Sequence, residues 1–247
     1  MVLVAIGGAI VYRISHLAPS QATDTSSQNQ VAGDSTAAKP ADNQPVPSTT
    51  PTNQSAQSET MNNCTRTFDE NKLRTAKVDI ANRFVVLNVK GYGAIKIQFY
   101  DKDAPKTVEN FLRLVNSGFY DCLTFHRIAK GFVIQSGDPT GTGSGGQSAF
   151  GGAFSDELNA NTPSYKAGYL KGVVAMANSG PNTNGSQFFI MLGDAQLPHN
   201  YTIFGKVVDG QAAVDKIGQV DITPQLGPTD GAPKTKVVIE KASIVSK

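Results

Sequence analysis

Between Gly137 and Gly152 the chain reads GDPTGTGSGGQSAFGG, which places Gly141, Gly143 and Gly146 in a G-x-G-x-x-G spacing. Such glycines cradle a pyrophosphate when a strand precedes them, a helix opens directly after them and an acidic residue follows about 20 positions on. A strand-like run, FVIQSG, does precede them, but QSAFGGAFSDEL follows with more glycine and no helical period. No Gly-Lys-Ser/Thr follows either, so neither dinucleotide nor P-loop chemistry is supported. The sulfur and imidazole groups are equally unpromising for a metal: Cys64 and Cys122 lack C-x-x-C spacing, and His16, His126 and His199 are scattered. No metal and no cofactor is expected. The two cysteines are compatible with a disulfide or with two free thiols. Taken alone, Arg127 reads as a cation in a salt bridge, and His126 beside it as a buried structural histidine.

The elements that would position these residues begin near Phe84. The runs FVVLNV (84–89) and AIKIQFY (94–100) flank KGYG and predict a hairpin. The clearest helix follows: Pro105 falls in its first turn, Val108, Phe111, Leu112 and Val115 recur at helical spacing, and Gly118 ends it. Further strand-like runs are LTFHRI, GFVIQSG, GVVAMA, SQFFIML, TIFGKVV and TKVVIEKASIV, with a second short helix at GQAAVDKIG. About eight strands and only two helices, without regular βα alternation, predict a mainly β fold, a closed or nearly closed β-barrel. A barrel with paired edges and no coiled-coil heptads leans toward a monomer.

Outside that region the texture changes. Residues 18–63 hold almost no large apolar side chain and are rich in Ser, Thr, Pro, Gln, Asn and Ala. Such a segment cannot bury enough apolar surface to offset its ordering entropy. We therefore divide the chain into an apolar segment over 1–17, a disordered linker over 18–76 and a globular domain over 77–247. The run MVLVAIGGAIVY, ended by Arg13, is too short to span a bilayer as written. It is compatible with a truncated membrane anchor, a cleaved signal peptide or a buried or aggregation-prone tail. The first two predict an extracytoplasmic protein, membrane-anchored or secreted, that meets a membrane only through this segment. A formal net charge of +2 with no Lys/Arg cluster gives no footprint for nucleic acid.

Two long segments carry more information than the glycines. GFYDCLTFHRIAKGFVIQSGD (118–138) and MANSGPNTNGSQFFI (176–190) resemble the signature regions of the cyclophilin family of peptidyl-prolyl cis-trans isomerases. DAPKTVENF before them and TIFGKV after them agree in order and spacing, so the resemblance covers about Phe84 to Lys247. With its N-terminal segment the chain looks like a bacterial-like member. The resemblance implies a closed eight-stranded antiparallel β-barrel capped by two α-helices, in line with the strand and helix count, and an enzyme that accelerates Xaa-Pro rotation in unfolded or partly folded chains, assisting protein folding.

Position by position, the resemblance makes Arg127 the catalytic residue. It places Phe132, Val133, Phe189 and Leu197 around the proline ring, Gln135 beside the arginine, and Ala177, Asn178 and Gln187 along the groove. Asn178 would bind the residue beside proline through its backbone, Tyr201 would stand on the pocket rim, and Gly143 and Ser144 would border the pocket for residues preceding proline. His126 and Cys122 stay structural. The chain departs from the family at Gln196, where drug-sensitive members carry tryptophan, which implies weak cyclosporin binding. Val133 replaces a frequent methionine, and Ala129-Lys130 stands where a proline commonly precedes the glycine. The implied partners are proline-containing peptides and unfolded protein chains. The alternative is a proline-peptide binding or chaperone module with little turnover.

Overall fold

The structure, a computed structural model, describes residues 57–61 and 64–246. In chain order the elements are β1 (Gln57–Met61), β2 (Cys64–Phe68), α1 (Glu70–Thr75), β3 (Arg83–Val89), β4 (Gly93–Phe99), α2 (Pro105–Asn116), β5 (Arg127–Ala129), β6 (Val133–Ser136), α3 (Pro163–Ala167), β7 (Val173–Met176), β8 (Phe188–Met191), β9 (Ile203–Asp209), α4 (Gln211–Gly218), β10 (Ile222–Gly227), β11 (Asp230–Pro233) and β12 (Ile239–Ser246).

Strands β3 to β12 form one antiparallel sheet in the order β10-β11-β5-β6-β8-β7-β9-β4-β3-β12. The eight predicted strands are all present, as β3 to β9 and β12. The ladder does not confirm the expected closed eight-stranded barrel: the sheet has ten strands and its order ends on β10 and β12. The physical reason is the β10–β11 hairpin, which occupies the free edge of β5. The segment before β5 instead meets the start of β12: Cys122 and Phe125 donate to the carbonyls of Ile239 and Val237, and Ile239 donates to that of Leu123.

α2 forms as its sequence predicts. Pro105 sits in the first turn, Val108, Phe111 and Leu112 are fully buried, and Gly118 follows the last turn at φ 75°. A Cβ on Gly118 would lie 2.5 Å from the Thr67 carbonyl, so β2 packs where only glycine fits. The free N–H groups of the first turn are met from far along the chain. The Glu157 carboxylate accepts from the Lys106 and Thr107 amides at 3.1 and 2.8 Å, a favourable site for negative charge. Phe111 then packs against Phe99, Tyr120, Phe188 and Phe204 at centroid distances of 4.8 to 5.7 Å. This aromatic cluster is the centre of the core under the sheet.

The domain starts earlier than expected. Residues 57–61 and 64–75, assigned above to a linker, form β1, β2 and α1, while residues 1–56, including the 1–17 segment, lie outside the described residues. Two apolar side chains decide this. Leu73 is fully buried in the main core, and Phe68 meets Phe119 edge to face at 5.3 Å. From α1, Arg74 donates to the Ser148 carbonyl at 2.7 Å, and Glu70 accepts from the Gln147 side chain at 2.9 Å.

The question left open for the cysteines is resolved as a disulfide between Cys64 and Cys122. It closes a loop with a sequence separation of 58 residues, for which loop-closure entropy alone gives about 4 kcal/mol. Denaturant unfolding of Cys64→Ser with Cys122→Ser should therefore show a loss of about 2–4 kcal/mol. A loss under about 1 kcal/mol would mean that the N-terminal hairpin is not tied to the domain as described.

Candidate functional site

Cross-strand register brings the predicted site residues together. Arg127 in β5 faces Gln135 in β6, Gln135 faces Phe189 in β8, and Phe189 faces Ala175 in β7. Residues directly opposite on antiparallel strands share a face of the sheet, so a cation, an amide and an aromatic ring form one row. Val133, two residues from Gln135, faces Met191 and lies on the same side.

Apolar residues gather at one end of this row. A cluster separate from the main core contains Val133, Phe189, Met191 and Ile203, with Phe132, Ala177, Leu197 and Tyr201 packed partly buried against it. Phe189 and Tyr201 meet edge to face at 5.6 Å. The backbone of Tyr201 is held by the Tyr169 hydroxyl, which donates to its carbonyl at 2.8 Å and accepts from its amide at 3.1 Å. Burial and the neighbouring charges push the Tyr169 phenol up to about 12, so it remains a neutral donor at physiological pH. Asn178 donates from its side chain to the Asn200 carbonyl at 2.8 Å, tying the loop after β7 to the one before Tyr201.

At the other end runs a relay of hydrogen bonds. Nη1 of Arg127 donates to Oε1 of Gln135 at 3.0 Å, whose Nε2 donates to Oε1 of Gln187 at 2.9 Å. Nε2 of Gln187 in turn donates to the carbonyls of Gly143 and Gly145 at 2.9 and 2.8 Å. The far side of the guanidinium is occupied too: Nε and Nη2 donate to the two carboxylate oxygens of Asp230 in β11, at 2.9 and 2.6 Å. Sequence reasoning missed Asp230 altogether. Arg127 has five N–H donors, of which these contacts use three. One N–H on each terminal nitrogen has no acceptor among the described residues.

The glycine run forms a wall of the groove. No helix opens after Gly146, the next being α3, which removes the phosphate-cradle reading. Gly141, Gly143 and Gly146 have φ of 68°, 86° and 111°, values that favour glycine. The loop folds around Asp138, whose carboxylate accepts from the amides of Thr140, Thr142, Gly143 and Gly145 at 2.7 to 3.1 Å. Two grooves flank it and share Gln135, Gly143 and Ser144. One, of about 380 Å³, is bounded by Ala177 to Ser179 and Gly185 to Gln187. The other, of about 360 Å³, reaches His126, Arg127 and the end of β10 at Gln225 and Leu226. Behind the first groove, fully buried Asn110 of α2 accepts from the Ala149 amide and donates to the Gly185 carbonyl.

His126 lies beside Arg127 with both ring nitrogens buried and without a hydrogen-bond partner among the described residues. Burial pushes its imidazole down, and the Arg127 charge adds to that against the opposing pull of Asp138. A ring that favours the neutral form and has no hydrogen-bond partner among the described residues suits a structural residue. Gln196, assigned to the tryptophan position, is exposed on the loop beside Leu197.

The chain matches the family model described as cyclophilin type peptidyl-prolyl cis-trans isomerase over residues 84–244. A Rattus norvegicus protein named peptidyl-prolyl cis-trans isomerase-like 3 is 49% identical over 131 residues, 53% of this chain and 79% of that relative. A Neurospora crassa isomerase-like 1 protein is 46% identical over 156 residues, 62% of this chain and 89% of that protein. Among solved structures, a Cryptosporidium parvum cyclophilin type isomerase superposes with TM-score 0.59 and 36% identity, covering 67% of this chain and 98% of its own. The same protein solved in the presence of the dipeptide Ala-Pro gives the same TM-score, covering 66% and 99%.

These relatives correct two expectations. The bacterial-like affinity is not supported by animal, fungal and Cryptosporidium proteins. The expectation of an extracytoplasmic, anchored or secreted protein is overturned by the isomerase-like 1 and isomerase-like 3 relatives. Among the described residues no helix is long and apolar enough to cross a membrane.

The glycine wall yields a prediction in pH. Burial alone would raise the Asp138 carboxyl, but its hydrogen bonds to Thr140, Gly145 and Gly143 outweigh burial and lower it from 3.8 to about 2. A depressed carboxyl stabilises the folded loop fully above its unfolded value and loses that contribution as pH falls through the folded one. The Asp138 ¹³Cγ resonance should therefore titrate near 2, with Gly143 and Gly145 amides protected from exchange at pH 7 and exposed in Asp138→Ala, which removes both acceptor oxygens. Titration near 4, or undiminished protection in the variant, would contradict this.

Proposed function

The chain belongs to the cyclophilin-type peptidyl-prolyl cis-trans isomerase family, and from that premise we propose that the row Arg127–Gln135–Phe189 is its catalytic groove. The protein is a peptidyl-prolyl cis-trans isomerase. Its task is to lower a barrier of ~18–20 kcal/mol, set by delocalisation of the nitrogen lone pair into the carbonyl. Rotation uncouples the two groups and leaves the lone pair on the proline nitrogen. A cationic donor aimed at that nitrogen stabilises the twisted amide more than the planar one, and only such a difference accelerates rotation. No nucleophile, metal or cofactor is required.

Arg127 is the donor in this reading. The observation that carries it is the guanidinium held on two sides, with one N–H on each terminal nitrogen left unengaged at the groove. Guanidinium stays charged at all working pH values and its planar fork keeps its donors aimed. Such preorganised electrostatics need no reorganisation as the bond turns. The proline ring is taken by Phe132, Val133, Phe189, Leu197 and Tyr201, and the segment before proline runs past Ala177, the Asn178 backbone and Gln187, with Gly143 and Ser144 opposite. Holding one side of the bond while the other turns requires rigid walls. The bonds joining 122–125 to 237–239 support reading β3 to β9 and β12 as an eight-stranded barrel whose seam lies there.

The substrates are proline-containing peptides and unfolded or partly folded chains, a reading supported by the Cryptosporidium parvum relative solved in the presence of Ala-Pro. An exchange assay on an Xaa-Pro peptide should show catalysis by the full chain and a loss of at least ~100-fold in kcat/KM for Arg127→Ala, in line with removal of one preorganised electrostatic donor. Cyclosporin added to the same assay should inhibit weakly, because Gln196 offers no indole. Undiminished turnover in Arg127→Ala would remove the arginine from the mechanism, binding of unfolded chains that is unaffected by Arg127→Ala and accompanied by little turnover would favour a proline-peptide binding or chaperone module, and tight cyclosporin inhibition would refute the Gln196 argument.

A further inference from the structure

We propose that Asp230, at the start of β11, is a positioning residue for the isomerase reaction, acting through the Arg127 guanidinium. The inference rests on the reading of Arg127 above and adds a component from the part of the chain that sequence patterning left as loop.

The contact is built into the sheet. Asp230 pairs with Ala129 and Gly231 with Ile128, while the Lys130 amide donates to the Thr229 carbonyl at 2.8 Å. Three consecutive residues of the hairpin are thus pinned to β5 and to Lys130, the residue that follows it. A Cβ on Gly231 would lie 2.0 Å from the Thr223 carbonyl, so the hairpin closes against itself with no slack behind the carboxylate. The Arg127 and Asp230 side chains are 29% and 19% exposed, so the pair is partly withdrawn from water. Two parallel charge-assisted bonds fix the plane of a guanidinium as well as its place.

A carboxylate against a catalytic cation acts in two opposing ways. It lowers the positive potential at the groove, which weakens electrophilic pull, and it fixes the fork, which keeps the remaining N–H groups aimed. Geometry decides which prevails. Asp230 meets Nε and Nη2, leaving one N–H on each terminal nitrogen toward the substrate side. Without Asp230 the guanidinium would keep a single side-chain anchor, Gln135 through Nη1, at the end of a long flexible stem. Displacements of about 1 Å at a reacting centre can cost on the order of 100-fold, so aim should outweigh the gain in potential.

The test measures kcat and KM separately on the full chain, for Asp230→Ala, Asp230→Asn and each combined with Arg127→Ala. The expected result is a fall in kcat of about tenfold or more for Asp230→Ala and a smaller one for Asp230→Asn, whose amide oxygen can still accept one bond. KM should move by less than about twofold, because the proline pocket is made by other residues. In the Arg127→Ala background either change at Asp230 should add nothing, since residues acting as a unit are non-additive. The ¹⁵Nε–¹H resonance of Arg127 should be sharp in the parent and broadened in Asp230→Asn. Unchanged or faster turnover in folded Asp230 variants overturns the proposal, as does a further loss in the Arg127→Ala background, which would mark a structural role. If Asp230→Ala does not fold, Asp230→Asn and the arginine resonance decide. Failure of the underlying reading is distinct: Arg127→Ala itself would then retain turnover.

Discussion

A guanidinium on a flexible stem is a useful electrophile only if something holds it still, and in this protein the neighbours of Arg127 meet that demand. Gln135 takes one N–H and Asp230 takes two. Gln135 is held by Gln187, and Gln187 by two carbonyls of the glycine loop. Each link is a side chain whose own donors or acceptors are engaged by the next. A relay of this kind is rigid only when fully satisfied, so the geometry at Arg127 depends on structure as distant as Gly145 and β11.

The rest of the fold can be understood as support for that relay. Antiparallel register puts Arg127, Gln135 and Phe189 in one row, and the aromatic cluster around Phe111 gives the sheet a solid floor. The loops beside the groove would otherwise be mobile, and buried polar groups restrain them. Ser186 donates to the Gly137 carbonyl at 2.6 Å and accepts from the Gln147 amide, Tyr120 donates to the Ser186 carbonyl, and Asn110 bridges Ala149 and Gly185. Even the N-terminal extension contributes, because α1 reaches Gln147 and Ser148.

Much of this was legible in the residues, for physical reasons that also explain what was not. α2 was readable because four apolar positions repeat at 3.6-residue spacing behind a first-turn proline, and the eight predicted strands because branched and aromatic residues cluster between turn signals. The apolar pocket was readable only through family resemblance, since Val133 and Phe189 look like ordinary core residues. β10 and β11 were illegible: Pro224, Pro228, Pro233 and Gly227 crowd ITPQLGPTDGAP, and proline in a strand signals an edge or a loop. An edge hairpin is what they form, and Asp230 was hidden with it. α1 was lost because residues 18–63 set an expectation of disorder that Phe68 and Leu73 overturn through burial too sparse to register as a pattern.

If aimed donors, beyond positive charge alone, make Arg127 effective, charge without the fork should not suffice. Lysine keeps the cation but loses Nε and the planar array that Asp230 and Gln135 hold together. The most direct measurement is exchange-spectroscopy NMR of an Xaa-Pro peptide with Arg127→Lys, reading catalysed rotation at saturating peptide. We expect turnover to fall nearly as far as in Arg127→Ala while peptide binding persists. Rotation within a few-fold of the parent would contradict the account and show that a nearby positive charge is enough.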